Sequence, residues 1–229
     1  ASLGYKWIIL DEISAFGELN KLNFNKLHIE KNTGLKIFFR SRSLSKSFVP
    51  DTISNLLKQN YCGPALTATD AELYGLRHAD SAGTFEKLLK RPEIKTLTIS
   101  EFLASLKEKI ELKPLASSWE STTAELKRGA PFTLWHNDKN KIHKLLWQLT
   151  DLAIATVNGH RTDANQAWAR FHLNRGLASC TFWWASARDF KSFSAISWNP
   201  DEIERGANEL IKCIRSLAGT NTKPAKIAG

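Results

Sequence analysis

Short apolar runs that each stop at a charged or polar residue, with helix-patterned stretches between them, constrain this chain more than any other feature. Residues 5–10 run into Asp11-Glu12, and residues 35–39 run into Arg40-Ser-Arg-Ser-Leu-Ser45. Residues 65–69 stop at Asp70, and residues 94–97 give a shorter fourth run. Between them, residues 50–59 carry Ile53, Leu56 and Leu57 at helical spacing, and residues 82–90 carry Phe85, Leu88 and Leu89. Strand, polar end, helix, strand is the pattern of a parallel sheet with crossover helices. Four strands do not close a barrel.

After Ser100 the pattern becomes helical. Thr98 or Ser100 is a plausible N-cap for a short helix, and an irregular segment with Pro, Ser and Gly spans residues 113–135. Residues 138–158 place Ile142, Leu145, Leu146, Leu149, Leu152 and Ala153 on one stripe, which predicts a long amphipathic helix. Two more helices are expected over 162–176 and 180–190. The last opens at Asn199-Pro-Asp-Glu202, with a capping Asn and Pro at the first helical position. This divides the chain into a sheet-containing part over 1–112, a helical region over 113–218 and a disordered tail over 219–229.

A chain of 229 residues can bury a substantial core as one large or two small domains. It contains no Met, and it begins with Ala on the approach to a strand, so its natural beginning is expected to be missing. No run approaches the roughly 20 apolar residues that span a bilayer, so no membrane partner is expected and the chain reads as soluble and cytoplasmic, with export left open. A net charge of +9 permits attraction to nucleic acid, yet the basic residues are scattered and no nucleic-acid-binding signature accompanies them. Cys62, Cys180 and Cys213 stand far apart, which argues against a disulfide scaffold and a zinc knuckle.

Charges recur at the strand ends: Asp11-Glu12, Arg40 with Arg42, and Asp70 with Glu72. If the strands are parallel neighbours these groups converge on one rim, which is an acid/base site in outline. Each also fits a plainer role: Asp70 capping a loop, Glu12 and Arg42 solvating loop ends. Trp119 and Trp135 lie in the irregular segment, where flat rings can stack on the apolar faces of sugars. Trp147 and Trp168 are expected to pack in helical cores. His143 reads as a helix-face histidine, and His78 lies eight residues beyond Asp70. No metal-ligand spacing and no nucleotide-binding or nucleophile-elbow motif occurs, so neither metal nor cofactor is expected.

Lys6-Trp-Ile-Ile-Leu-Asp-Glu12, Ile37-Phe-Phe-Arg-Ser-Arg-Ser-Leu-Ser45, Thr69-Asp-Ala-Glu-Leu-Tyr-Gly75 and Ser117-Ser-Trp119 followed by Trp135 together resemble glycoside hydrolase family 57. The resemblance covers roughly residues 4–217 and is most specific at Asp-Ala-Glu-Leu-Tyr-Gly. It implies an α/β fold: a partial (β/α) barrel of parallel strands, the C-terminal portion of a seven-stranded barrel, followed by an all-helical C-terminal region that completes the cleft. It implies retaining hydrolysis or transfer on α-glucans, with Asp70 as the general acid/base and Asp11, Arg40, Glu72, His78, Trp119 and Trp135 as substrate-binding residues. Ser41 stands where the family's stretch usually has Asp.

The family's nucleophile, a Glu in a Trp-x-Pro-Glu motif, does not occur in this sequence. Retaining chemistry needs two carboxyl groups about 5 to 5.5 Å apart. Asp11 or Glu12 could be proposed as the second on location alone. The economical expectation is a fragment that is inactive alone, whose partners are an oligo- or polysaccharide and either the missing N-terminal half of the barrel or a second protomer. The alternative is a catalytically silent carbohydrate-binding or partner-binding protein on the same fold. A half-barrel would expose an apolar sheet edge and be prone to self-association.

Overall fold

The computed structural model describes residues 3–70, 74, 78–187 and 198–217. The chain divides into two compact units, Ala1–Pro131 and Phe132–Gly229. In the first, the order is β1 (Trp7–Asp11), α1 (Ile13–Phe16), β2 (Leu27–Glu30), β3 (Lys36–Arg40), α2 (Val49–Lys58), α3 (Thr84–Leu89), α4 (Ile99–Ser105), β4 (Lys109–Leu112) and α5 (Thr123–Lys127). The second contains α6 (Lys141–Gly159), α7 (Gln166–Gly176), α8 (Ser179–Trp183) and α9 (Pro200–Leu217).

The first unit is built on a four-stranded mixed sheet in the order β1-β3-β2-β4. β1 runs parallel to β3, and β2 parallel to β4, but β2 and β3 are antiparallel. The expectation of a wholly parallel sheet is therefore corrected, because β2 and β3 form a hairpin. Its turn is set by Gly34, which has φ +69°, and by Glu30, whose carboxylate accepts from the Asn32 and Thr33 amides at 3.0 and 2.7 Å and the Thr33 hydroxyl at 2.7 Å. These bonds, that of the Thr33 hydroxyl foremost, hold the Glu30 carboxyl below its ordinary range.

Residues 65–69 and 94–97, expected as strands, make no ladder. The first is instead an extended segment beside the end of β3: the Ser41 amide donates to the Leu66 carbonyl at 3.1 Å, and the Ala68 amide donates to the Ser45 hydroxyl at 3.1 Å. Strand alternation puts Leu10, Ile37 and Phe39 on one face, where Ile37 and Phe39 are buried in a core with Ala15 and Leu112. On the other face, Phe38 meets Phe102 of α4 with ring centroids 5.1 Å apart. Thr98 and Glu101 close a capping box on α4, so Thr98 rather than Ser100 is the cap.

In the second unit α6, α7 and α9 bury Leu149, Ala153, Val157, Ala169, Leu173, Leu210 and Cys213 against one another. The helices approach closely at Gly176, where a Cβ would stand 2.6 Å from the Leu210 side chain, and at Gly206, where it would stand 2.1 Å from the Thr181 hydroxyl. α8 stops at Trp183, well short of the helix expected over 180–190, whose last three positions lie outside the described residues, as does the tail 219–229. Among the described residues, no helix is long and apolar enough to cross a membrane.

Candidate functional site

The β1–β3 register places Asp11 directly beside Arg40 at the carboxyl ends of two parallel strands. Arg42, two residues on, returns to the same side, so two guanidiniums converge on one carboxylate. Arg40 Nε donates to Asp11 Oδ2 at 3.0 Å, while Arg42 donates to Asp11 Oδ1 from Nη2 at 2.7 Å and from Nε at 3.1 Å. The Ile13 amide adds a fourth donor at 3.2 Å. Glu12 is 1 % exposed and accepts from the Arg42 amide at 2.7 Å and the Asn20 amide at 2.8 Å. Asp11 is thus ion-paired with both arginines, while the Glu12 carboxylate is held by two backbone amides, so that each of these buried carboxylates is hydrogen-bonded, the condition under which buried ions are tolerated.

The sequence led us to expect Asp11 as a substrate contact and Glu12 and Arg42 as solvated loop ends. All three are buried. Both carboxyl groups are buried beneath these donors, so the geometry lends no support to either as a substitute nucleophile.

The remaining guanidinium donors reach outward to two loops. Arg40 Nη1 donates to the Ala68 carbonyl at 2.7 Å, two residues before Asp70. Arg42 donates from Nη1 to the Ser121 carbonyl at 2.6 Å and from Nη2 to the Ser118 carbonyl at 3.3 Å. Ser118 and Ser121 are the ends of a turn closed by the Ser121 amide on the Ser118 carbonyl at 3.2 Å, with Trp119 at its tip. Trp119 is 43 % exposed, and the Arg40 guanidinium carbon lies 6.0 Å from its ring centroid. Asp70 is exposed, with no hydrogen bond or ion pair among the described residues. Arg40 Nη2 has no partner among them either.

The other candidates lie elsewhere. His78 is exposed and stacks on Phe48 at 4.8 Å, and Tyr74 also stacks on Phe48, at 5.7 Å. Glu72 lies outside the described residues. Trp135 belongs to the second unit, half-buried against the cluster of Leu146, Phe182 and Ala185. Trp168, expected in a core, is 57 % exposed and stacks on Phe171, because α7 turns that face away from α6 and α9. His143, expected on a helix face, is fully buried: the Asn137 amide donates to its Nδ1 at 3.2 Å, and its Nε2 lies 2.9 Å from the Phe182 carbonyl.

Sequence reasoning also missed Glu209. This buried carboxylate of α9 meets His172 Nδ1 at 2.8 Å, Arg175 Nε at 3.1 Å and Lys212 Nζ at 3.1 Å. The His172 hydrogen bond is the chief cause that holds its carboxyl down to about 2, with Lys212 and Arg175 adding to it against the opposing effect of burial. The helical spacing His172–Arg175 was visible, but not that α9 would lay Glu209 across it. No group of three potential metal ligands occurs among the described residues. Comparison with protein-family models, with curated proteins and with solved structures finds no match to this chain.

Proposed function

We propose that the first unit presents a carbohydrate-facing surface of a family 57-like, α-glucan-active retaining hydrolase or transferase, with Asp70 as general acid/base and Trp119 as a stacking platform. The observation that carries this reading is one chain of contacts. Asp70 follows a segment pinned to Arg40, and that guanidinium lies beside the exposed indole of Trp119. An exposed carboxylate, a half-exposed flat ring and the Arg40 Nη2 donor, which has no partner among the described residues, are the groups that a sugar would use as proton donor, apolar platform and hydroxyl partner. In this reading the four-stranded sheet is a portion of the family's (β/α) barrel, and the second carboxyl group comes from outside the described residues.

A second reading, a carbohydrate- or partner-binding protein without chemistry, is favoured by the locked state of Asp11 and Glu12. Retention needs a second carboxyl group about 5 to 5.5 Å from the first, and the two nearest in sequence to the strand ends are fully engaged. Titration with malto-oligosaccharides tests the shared part of both readings: tryptophan emission should be quenched saturably, Trp119→Ala should abolish the response, and Asp70→Asn should preserve it. Turnover of an α-glucan that Asp70→Asn removes separates the first reading from the second. A silent titration would refute both.

A further inference from the structure

Among the described residues Asp11 makes no hydrogen bond to either of the loops that carry Asp70 and Trp119, yet both are held through it. Its carboxylate fixes Arg40 and Arg42 in orientation, and each arginine spends its outer donors on a different loop: Arg40 on the Ala68 carbonyl, Arg42 on the Ser118 and Ser121 carbonyls. A guanidinium is a rigid planar fork, so a bond that fixes one edge fixes where the other edge points. Without the carboxylate, nothing on the strand ends would orient both forks, because Glu12 is bonded to backbone amides and to neither guanidinium.

We infer that Asp11 is a positioning residue that locks the Asp70 loop and the Trp119 turn to the same pair of strand ends, so that the two loops keep a common geometry or lose it together. The consequence for sugar binding rests on the function proposed above; the coupling of the loops does not. The arrangement gives each arginine a separable part: Arg40 governs the Asp70 side, Arg42 the Trp119 side, and Asp11 both. A lysine at either position keeps the charge but has a single point of donation, so it cannot bridge Asp11 and a loop carbonyl in the same way.

Amide hydrogen exchange on the full chain tests this. The amides of Ala68, Ser118 and Ser121 are each hydrogen-bonded in or beside the two loops and report their opening. Asp11→Asn should speed exchange at all three by about tenfold or more, the loss expected for one orienting charge-assisted bond, while the β3 amides stay at wild-type rates. Arg40→Lys should speed Ala68 alone, and Arg42→Lys should speed Ser118 and Ser121 alone. If Asp11→Asn does not fold, the two lysine variants carry the test by themselves. Uniform loosening of β3 and both loops, or no change in either, would overturn the inference. Sugar affinity supplies a readout that general destabilisation would not move: Arg42→Lys, whose side chain is no sugar contact in that reading, should weaken malto-oligosaccharide binding several-fold with unchanged β3 exchange. Unweakened binding in Arg42→Lys would overturn the consequence for sugar binding. A wild-type chain that binds no sugar would refute the proposed function, and the exchange pattern would still decide the coupling.

Discussion

The proton of His143 sits on Nε2, because an amide donating to Nδ1 leaves only the other nitrogen to donate to the Phe182 carbonyl. Burial holds this imidazole neutral and lowers its pKa, as it does for His28, where Lys26 adds to the effect. For a histidine lowered in this way the unfolded chain binds the proton first, so stability is fully present above about pH 6.5 and is lost as pH falls through the lowered value. The urea midpoint should therefore drop from pH 7.5 to pH 5, and His143→Gln should reduce that slope; a flat midpoint would contradict it. Glu209 acts lower on the scale. Its depressed carboxyl contributes stability above about 4.5 that disappears as pH falls through about 2, on the order of 3 kcal/mol in full. Glu209→Gln should remove a similar amount at neutral pH in equilibrium unfolding. The Asp11–Arg40 pairing was legible in the sequence because both residues end apolar runs, and parallel registry then brings them together. His143 was not, because a lone histidine on a helix gives no sign of which helix will cover it.

Gly206 links the residue to its element: the α9 backbone sits against Thr181 of α8 with no room for a methyl group. Gly206→Ala should destabilise by about 1–3 kcal/mol, as overpacking generally does, and an unchanged melting curve would show that α8 yields without cost. The long helices were readable from periodicity, since α6 and α9 expose a polar face along several turns. α8 was not, being a single turn and a half that exists by packing on α9. β2 and β4 escaped notice because each is four residues long and mixes charge with apolar side chains. The Glu30-Lys-Asn-Thr-Gly34 turn was the signal that could have revealed the hairpin. Capping, by contrast, is written locally. Thr98→Ala should cost about 1 kcal/mol and speed exchange in the first turn of α4, and an effect below 0.3 kcal/mol would mean the box adds nothing to this helix.

At the scale of the sheet, the two edges differ in kind. β4 carries exposed Lys109 and Glu111, the sort of charge that discourages pairing, whereas β1 presents Ile8 and Ile9, 41 % and 39 % exposed. Ile8 lies beside Ile37 on the core face, yet it opens on a hollow of about 620 Å³ lined by Tyr5, Trp7, Ile8, Ile9 and Leu35. Sedimentation velocity should show association that grows with concentration, and Ile8→Lys should suppress it; a concentration-independent monomer would contradict this. The function proposed for the first unit stands or falls on whether a sugar occupies the ground between Trp119, Arg40 and Asp70. A crystal structure with maltoheptaose measures that directly. A glucose ring should stack on the Trp119 indole, with a hydroxyl bonded to Arg40 Nη2 and a glycosidic oxygen within reach of the Asp70 carboxylate. Sugar bound elsewhere on the chain, with none of its atoms against those three side chains, would contradict the proposed function.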